Sequence, residues 1–496
     1  MPQWTLSPTA NKTMQKTFYW YDYETFGIDP QRDRPVQFAG LRTDEALNVI
    51  GDPLVIYSRL SDDYLPHPEA CLVTGITPQV ANERGVPEGE FIGAILAELA
   101  RPGTCSLGYN TLRFDDEVTR NALYRNLFDP YAREWQNGNS RWDLIDVIRL
   151  TRALRPEGLR WPDHEDGTPS FRLEDLTHAN GIEHGAAHDA LADVYATIAL
   201  ARLVRESQPR LFEYLYRNRD KKKLAQALRP GTGEPHIHVS ARYPASQHCL
   251  AAILPLAWHP TNRNGVIVYD LSVDPGPLLT LDAESIRERL FTPVESLPEG
   301  ATRIPLKLVH LNKSPVVVPY PTLREEDAER LGIDRGQIDT HRQAILSGPP
   351  LTEKLQQVFE APEWESVSDP DLMIYSGGFF SDRDRARMEQ IRKLVPKELA
   401  QVTHDFDDPR LPEMLFRYRA RNFPETLDVE EQARWKDFCR QRLTTADASG
   451  RLDLERFNQR LAELSVEQQD DENRLNLLQT LAAYGKSLAN KLDLRN

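Results

Sequence analysis

The segment 18–23, Phe-Tyr-Trp-Tyr-Asp-Tyr, constrains this chain more than any other. Five aromatic side chains in six residues need cover from solvent, so the segment reads as a buried strand. It carries Asp22 and runs into Glu24. Residues two apart on a strand point to one face, so both carboxylates share a side. Placed together in an apolar setting they repel and lose water, unless a cation lies between them. The plainer alternative is a strand end with acids facing solvent.

Segments 37–43 and 54–58 read as neighbouring strands, and 105–109 as a short strand ending in a turn. Apolar spacing predicts helices over 90–101, 115–127, 143–154, 173–180 and 190–206. Strands followed by alternating helices and strands make an α/β domain of roughly 180 residues. Pro209 begins a different texture. Short strands at 236–239, 251–256, 265–271, 305–311 and 315–318, separated by Pro and Gly, suggest a small antiparallel barrel or sheet. Helices are expected at 283–291 and 325–331, and the pattern is helical from about 339 to the end, with one long helical segment over 466–492.

Three further residues belong with the acidic pair. Asp115 follows Gly108-Tyr109-Asn110 and opens a helix, where it could equally be a cap. Asp116 could take the capping role and free Asp115. Asp193 lies on the apolar side of the 190–206 helix, and a core-facing carboxylate needs a partner. His188 precedes that helix after Gly185-Ala186-Ala187, small residues that let a loop approach a substrate. A lone loop histidine is usually a surface residue; its spacing to Asp193 is what draws attention. Four convergent carboxylates can hold two divalent metals, and a nearby imidazole can deprotonate water. That is equipment for hydrolysing a phosphodiester.

The 496 residues suit two to four domains. No stretch approaches the roughly 20 apolar residues of a membrane span, and residues 1–16 lack the apolar region of a secretory signal. Cys71, Cys105, Cys249 and Cys439 lie far apart without a CxxC pair, which fits a reducing cytoplasm. A net charge of −15 speaks against nucleic acid only if read globally; local field decides phosphate binding. The window 202–223 carries eight basic against three acidic residues, net +5.

In order, the chain holds D-x-E (Asp22, Glu24), N-x4-D (Asn110, Asp115) and H-x4-D (His188, Asp193). This resembles the DEDDh exonucleases. Tyr21 to Gly27, Arg34 to Phe38, Gly108 to Arg120, Ser140 to Asp143, Pro169 to Leu173, Ala187 to Ala190, Pro255 to Pro260, Asn262 to Asn264, Gly378 to Asp382 and Tyr418 to Pro424 further resemble the bacterial exonuclease I family. The likeness spans nearly the whole chain after the first 16 or so residues, and the extension 1–16 is expected to be disordered.

The resemblance implies an α/β, ribonuclease H-like DEDDh exonuclease domain at 17–204, an SH3-like β-barrel domain at 209–358 and an all-helical C-terminal domain at 361–494. It implies a 3′-5′ exodeoxyribonuclease of DNA repair and recombination, specific for single-stranded DNA and releasing 5′-mononucleotides. Asp22, Glu24, Asp115 and Asp193 would hold two Mg2+ ions, for which Mn2+ could substitute, and His188 would be the general base. Glu24 and Arg172 would contact substrate. Arg120, Tyr131, Trp135, Arg149, Tyr214 and Asn264 would bind the strand, aromatic faces stacking bases and arginines meeting phosphates. Tyr131 and Trp135, four apart, would share a helix face. The basic residues 217–223 would border the DNA path. The family also binds the acidic C-terminal tail of single-stranded DNA-binding protein, for which Arg417 to Arg421 are candidates. A cytoplasmic monomer without membrane contact is expected. Two other readings stand beside this one: a DEDDh exoribonuclease trimming RNA, and a non-catalytic single-strand clamp.

Overall fold

The computed structural model describes residues 16–185, 189–360, 367–402, 405–445 and 451–494. The expected disorder of 1–16 therefore falls almost wholly outside the described residues, as does His188.

The aromatic segment is strand β1 (Thr17–Thr25), the middle of a five-stranded sheet ordered β3-β2-β1-β4-β5. Its partners are β2 (Pro35–Asp44), antiparallel, and β4 (Thr104–Leu107), parallel. β3 (Leu54–Tyr57) and β5 (Ser140–Arg141) form the edges. Both faces of β1 are covered, which is why aromatic residues alternate onto both of them over Phe18–Tyr21. Phe18 and Trp20 join a core with the helix Ala190–Ser207; Tyr19, Tyr21 and Tyr23 join another with the helices Glu88–Leu99 and Asp115–Arg125. Asp22 and Glu24 continue the Phe18–Trp20 face at the strand's end, so the acids begin where the apolar cover stops.

The second sheet is wholly antiparallel, ordered β10-β6-β7-β8-β9. Its strands are β6 (His236–Val239), β7 (Leu250–Trp258), β8 (Gly265–Asp270), β9 (Leu306–His310) and β10 (Val317–Pro319). One face, with Ile237, Leu254 and Ile267, merges into the core of the first sheet's helices; the other packs Val266, Val268 and Val309 under Leu224 and Leu228. The C-terminal part is helical, and its Phe416, Trp435, Leu464 and Leu481 share a core with Phe26 and Val36.

One expectation is corrected here. The stretch 466–492 is not one helix: Leu454–Glu467 ends, and Asp471 caps a new helix, Glu472–Lys491, by accepting the Arg474 N–H at 3.1 Å. The region after Pro209 opens with two helices, Pro209–Asn218 and Lys221–Ala227, before any strand. Pro209 sits at the first helical position, where its missing N–H costs nothing.

Candidate active site

β1 outruns β4. Parallel pairing stops at Trp20, which leaves the amides of the strand's last residues open on that side. Asp115 uses one of them: its Oδ1 accepts the Tyr23 N–H at 3.1 Å. This bond ties the start of the helix Asp115–Arg125 to the acidic end of β1. The loop before it is held by Asp143, whose carboxylate accepts N–H groups from Asn110 (2.9 Å), Leu112 (3.0 Å) and Ile145 (3.1 Å). Asn110 sits at φ 65°, in the left-handed region asparagine tolerates. Burial, then Asp146, push the Asp143 carboxyl up to about 7.

Asp193 arrives from the other side of the sheet, on the first turn of the helix Ala190–Ser207. Asp189 caps that helix, accepting the Leu191 and Ala192 N–H groups, and the helix N-terminus favours a negative charge there. One carboxylate oxygen each of Asp22, Glu24 and Asp193 lie within 4.8 Å of one another. Burial, then Asp115 and Asp193, raise Asp22 well above the usual carboxylate range. Burial, then Asp22, Asp193 and Asp189, push Glu24 up to about 9. Asp115 is raised as well, by burial first. Like charges held this closely need an outside cation, and an all-oxygen donor set suits a hard divalent ion.

Sequence reasoning missed His184. Its Nε2 lies 2.5 Å from Asp193 Oδ1 and its Nδ1 3.1 Å from the Thr177 hydroxyl. The available signal was a second histidine four residues before His188 in the same loop. Asp116 is not a cap either. Phe114 occupies the cap position without a side-chain bond, and Asp116 is buried against Arg133 (2.5 Å), Arg141 (2.7 Å) and the Tyr21 hydroxyl (2.7 Å).

The same helix points its other flank into a cavity of about 990 Å³. Arg120, Tyr131, Trp135 and Arg141 wall it from the first part of the chain, Asn264 and Asn312 from the second, and Tyr375 and Phe379 from the third.

Comparison with known proteins settles the family. A family model described as "Exonuclease" matches residues 19–201, the "Exonuclease I SH3-like domain" matches 219–361, and the "Exonuclease I C-terminal domain" matches 368–488. Exodeoxyribonuclease I of Escherichia coli (strain K12) is 49% identical over 475 residues, covering 96% of this chain and 98% of that protein. The chain belongs to the exonuclease I family. Exonuclease I from Methylocaldum szegediense superposes with a TM-score of 0.92 at 53% identity, over 95% of this chain and 99% of that one. E. coli exonuclease I in complex with a dA16 oligonucleotide gives a TM-score of 0.92 at 48% identity, over 96% and 100%. A structure described as SSB/exonuclease I in complex with the inhibitor CFAM gives 0.86 at 47%, over 96% and 100%. The three-part architecture is therefore an exonuclease domain, an SH3-like domain and a helical C-terminal domain.

The residues that exonuclease I resemblance assigns to strand contact do not all fall together. Arg120, Tyr131, Trp135 and Asn264 line the cavity, together with Arg219 and Lys221 from the basic window. Trp135 is 66% exposed and Asn264 Oδ1 is buried without a hydrogen-bond partner, so both have capacity for a ligand. Tyr131 and Trp135 flank the short 3₁₀ turn Ala132–Glu134 rather than sharing an α-helical face. Arg149 lies elsewhere, paired with Asp146 at 2.6 Å and stacked on Phe171. Tyr214 is 39% exposed on the helix Pro209–Asn218, outside the cavity wall. Arg172, 64% exposed in its side chain, stands at the start of the helix Leu173–Ala179 with Nε 3.2 Å from Glu174.

The arginines 417–421 are not a surface patch. Arg417 pairs with Asp369, Asp371 and Glu413, Arg419 with Glu431, and Arg421 with Asp63 and Asp371, and the side chains of all three are largely hidden from solvent. Charges spent on internal partners are not available to an acidic tail.

Proposed function

We propose that this chain is a single-strand-specific 3′-5′ exodeoxyribonuclease that releases 5′-mononucleotides and serves DNA repair and recombination. The observation that carries this reading is the convergence of Asp22, Glu24 and Asp193, with Asp115 bonded to the same strand, in a chain of the exonuclease I family. Asp22, Glu24, Asp115 and Asp193 would hold two Mg2+ ions. When bound, divalent ions supply a nucleophilic water at neutral pH and charge stabilisation at the leaving 3′ oxygen. Mn2+ is a fitting substitute, since it takes the same oxygen donors. His188 receives the proton of the attacking water. Glu24 and Arg172 position the terminal nucleotide. Arg120, Tyr131, Trp135, Arg149, Tyr214 and Asn264 bind the strand upstream, and the cavity supports this for the four that line it.

The partners proposed are single-stranded DNA and the C-terminal tail of single-stranded DNA-binding protein, the latter supported by the SSB complex of a relative. Domain edges are placed at 17–204, 209–358 and 361–494. The working form is a cytoplasmic monomer: four buried free thiols suit a reducing compartment, and among the described residues no helix is long and apolar enough to cross a membrane.

The test is a time course on 3′- and 5′-labelled single-stranded DNA, with duplex DNA and RNA alongside, in Mg2+ or EDTA. Ladder-free loss of single-stranded DNA from its 3′ end, abolished by EDTA, is the expected result. Faster decay of RNA would move the chain to the exoribonuclease reading. Decay of no substrate would leave the non-catalytic clamp.

A further inference from the structure

A cavity built for a polyanion ought to present cations with open donors, yet the wall beside Asp115 gives its cations to its own acids. Arg120 donates from Nε and Nη2 to the two oxygens of Glu134, at 2.7 and 2.9 Å, and from Nη1 to Glu117 at 2.8 Å. Arg141 reaches Glu134 Oε2 at 3.0 Å, Asp116 Oδ2 at 2.7 Å and the Asn312 carbonyl at 2.8 Å. Arg133 adds a bond to Asp116 at 2.5 Å. Three guanidiniums thus face three carboxylates, and the wall is neutral before Lys313, 3.6 Å from Glu117, is counted.

The three acids are not equivalent. Asp116 is fully buried, with Arg133 and the Tyr21 hydroxyl behind it. Glu117 is held by the Tyr375 hydroxyl from the C-terminal domain. Glu134 lies at the cavity surface, and its one carboxylate bridges two arginines that both line the cavity. Carboxylate and phosphate meet guanidinium in the same forked geometry, so one can replace the other on an arginine without rebuilding the wall.

We propose that Glu134 is an internal competitor for the phosphodiester: it holds Arg120 and Arg141 between strand positions and yields them to each phosphate that arrives. This deepens the nuclease reading and rests on it. Glu134 stays tethered in the wall with its charge, so a phosphate that displaces it gains only the difference between two ion pairs. No single register of the strand is held tightly, and each step forward costs little.

The experiment uses full-length protein carrying Glu134→Gln or Glu134→Asp. Affinity for a fluorescent oligo-dT is read by anisotropy in EDTA across a salt series, and nucleotide release from long single strands is read with Mg2+. Glu134→Gln frees a guanidinium, so binding tightens roughly fivefold, the scale of one modest ion pair. The log–log salt dependence steepens by about 0.7, the increment for one more neutralised phosphate on a single strand. Steady-state release slows while the first cleavage in single turnover keeps its rate. Glu134→Asp keeps the charge but is too short to span both arginines, and shifts affinity the same way by less.

Unchanged or weaker binding by a folded Glu134→Gln protein overturns the proposal and leaves Glu134 a wall buttress. If the Gln variant does not fold, the Asp variant decides by the same criterion. Wild-type protein that fails to degrade single-stranded DNA sinks the nuclease reading and this one with it; wild-type degradation with no gain in Glu134→Gln affinity sinks this one alone.

Discussion

Two groups of buried carboxylates are treated in opposite ways. At the catalytic end, burial and mutual repulsion raise Asp22, Glu24 and Asp115. At the junction with the C-terminal domain, burial would likewise raise Asp63 and Asp371, but guanidiniums overrule it. Arg421, Arg34 and Arg442 hold Asp63 well below the carboxylate range, and Arg421 and Arg417 do the same for Asp371. Arg421 Nη2 alone contacts both, at 2.9 and 2.6 Å. The second group is neutralised from within and is structure. In the first, the charged neighbours that shift these groups are other carboxylates, which suits the divalent ions proposed for it.

The comparison breaks most visibly at the catalytic end. Asp22→Ala or Asp193→Ala should remove metal-dependent cleavage by more than the roughly 100-fold that losing an outer-sphere partner costs. Calorimetric titration with Mg2+ should show weakened binding in both. His188→Ala should lower turnover severely with Mg2+ affinity retained. Normal Mg2+ affinity in Asp193→Ala would remove that residue from the ligand set.

The junction should respond in stability instead. Arg421→Met leaves Asp63 and Asp371 short of a partner, which costs about 3 kcal/mol, the lower range for breaking a buried pair because Arg34 and Arg417 remain. Urea unfolding measures it, with specific activity of the folded fraction unchanged. A loss under about 1 kcal/mol would mean the junction does not depend on these pairs.

The smallest effect is in pH and metal, and it separates the two groups by sign. Glu24 sits at about 9 in the fold against an ordinary 4.5. Its contribution in metal-free protein is complete below about pH 4.5 and is lost as pH rises through 9. Asp63 and Asp371 are depressed, so theirs is present above about pH 3.8 and is lost as pH falls below it. Metal-free stability should therefore decline on both limbs, by at most about 1.4 kcal/mol per pH unit for each proton. Saturating Mg2+ should flatten the alkaline limb alone, adding about 2.7 kcal/mol at 100 times its Kd. Melting curves across pH that show no Mg2+ effect on that limb would refute the assignment.

Periodicity made the regular elements legible. The helix Ala283–Phe291 falls where apolar spacing puts it, and the strands of both sheets lie within a few residues of expectation, except the two-residue β5, which is too short to show a period. Helices of seven residues that start at proline, Pro68–Thr74 and Pro78–Arg84, escaped because two turns hold too few apolar positions to show a period. At the site, spacing along the strand paired Asp22 with Glu24, and the resemblance to the DEDDh exonucleases added Asp193, which the fold brings to them. What spacing could not supply is the partner of a charge. Arg419 and Arg421 read as an open basic stretch, yet Arg421 pairs with Asp63, 358 positions away. Asp116 read as a cap and is an anchor for two arginines. His184 lies four positions before the expected base in sequence and escaped because the H-x4-D spacing to Asp193 points to His188 alone.

The distance in sequence between Asp63 and Arg421 also sets an order in time. A ribosome delivers the chain N-terminus first, so Asp22, Glu24, Asp115 and Asp193 are all made before two-fifths of the protein exists. Tyr375 and Phe379, which wall the cavity from the far side, follow about 180 residues later. At about 5–20 residues per second that interval is roughly 10–40 s. Throughout it Asp63 has Arg34 but neither Arg421 nor Arg442, so the surface that later receives the C-terminal domain lacks most of its pairing charge. The carboxylates that would cut are finished early; the enclosure that would decide what reaches them is completed only when the C-terminal part has been made.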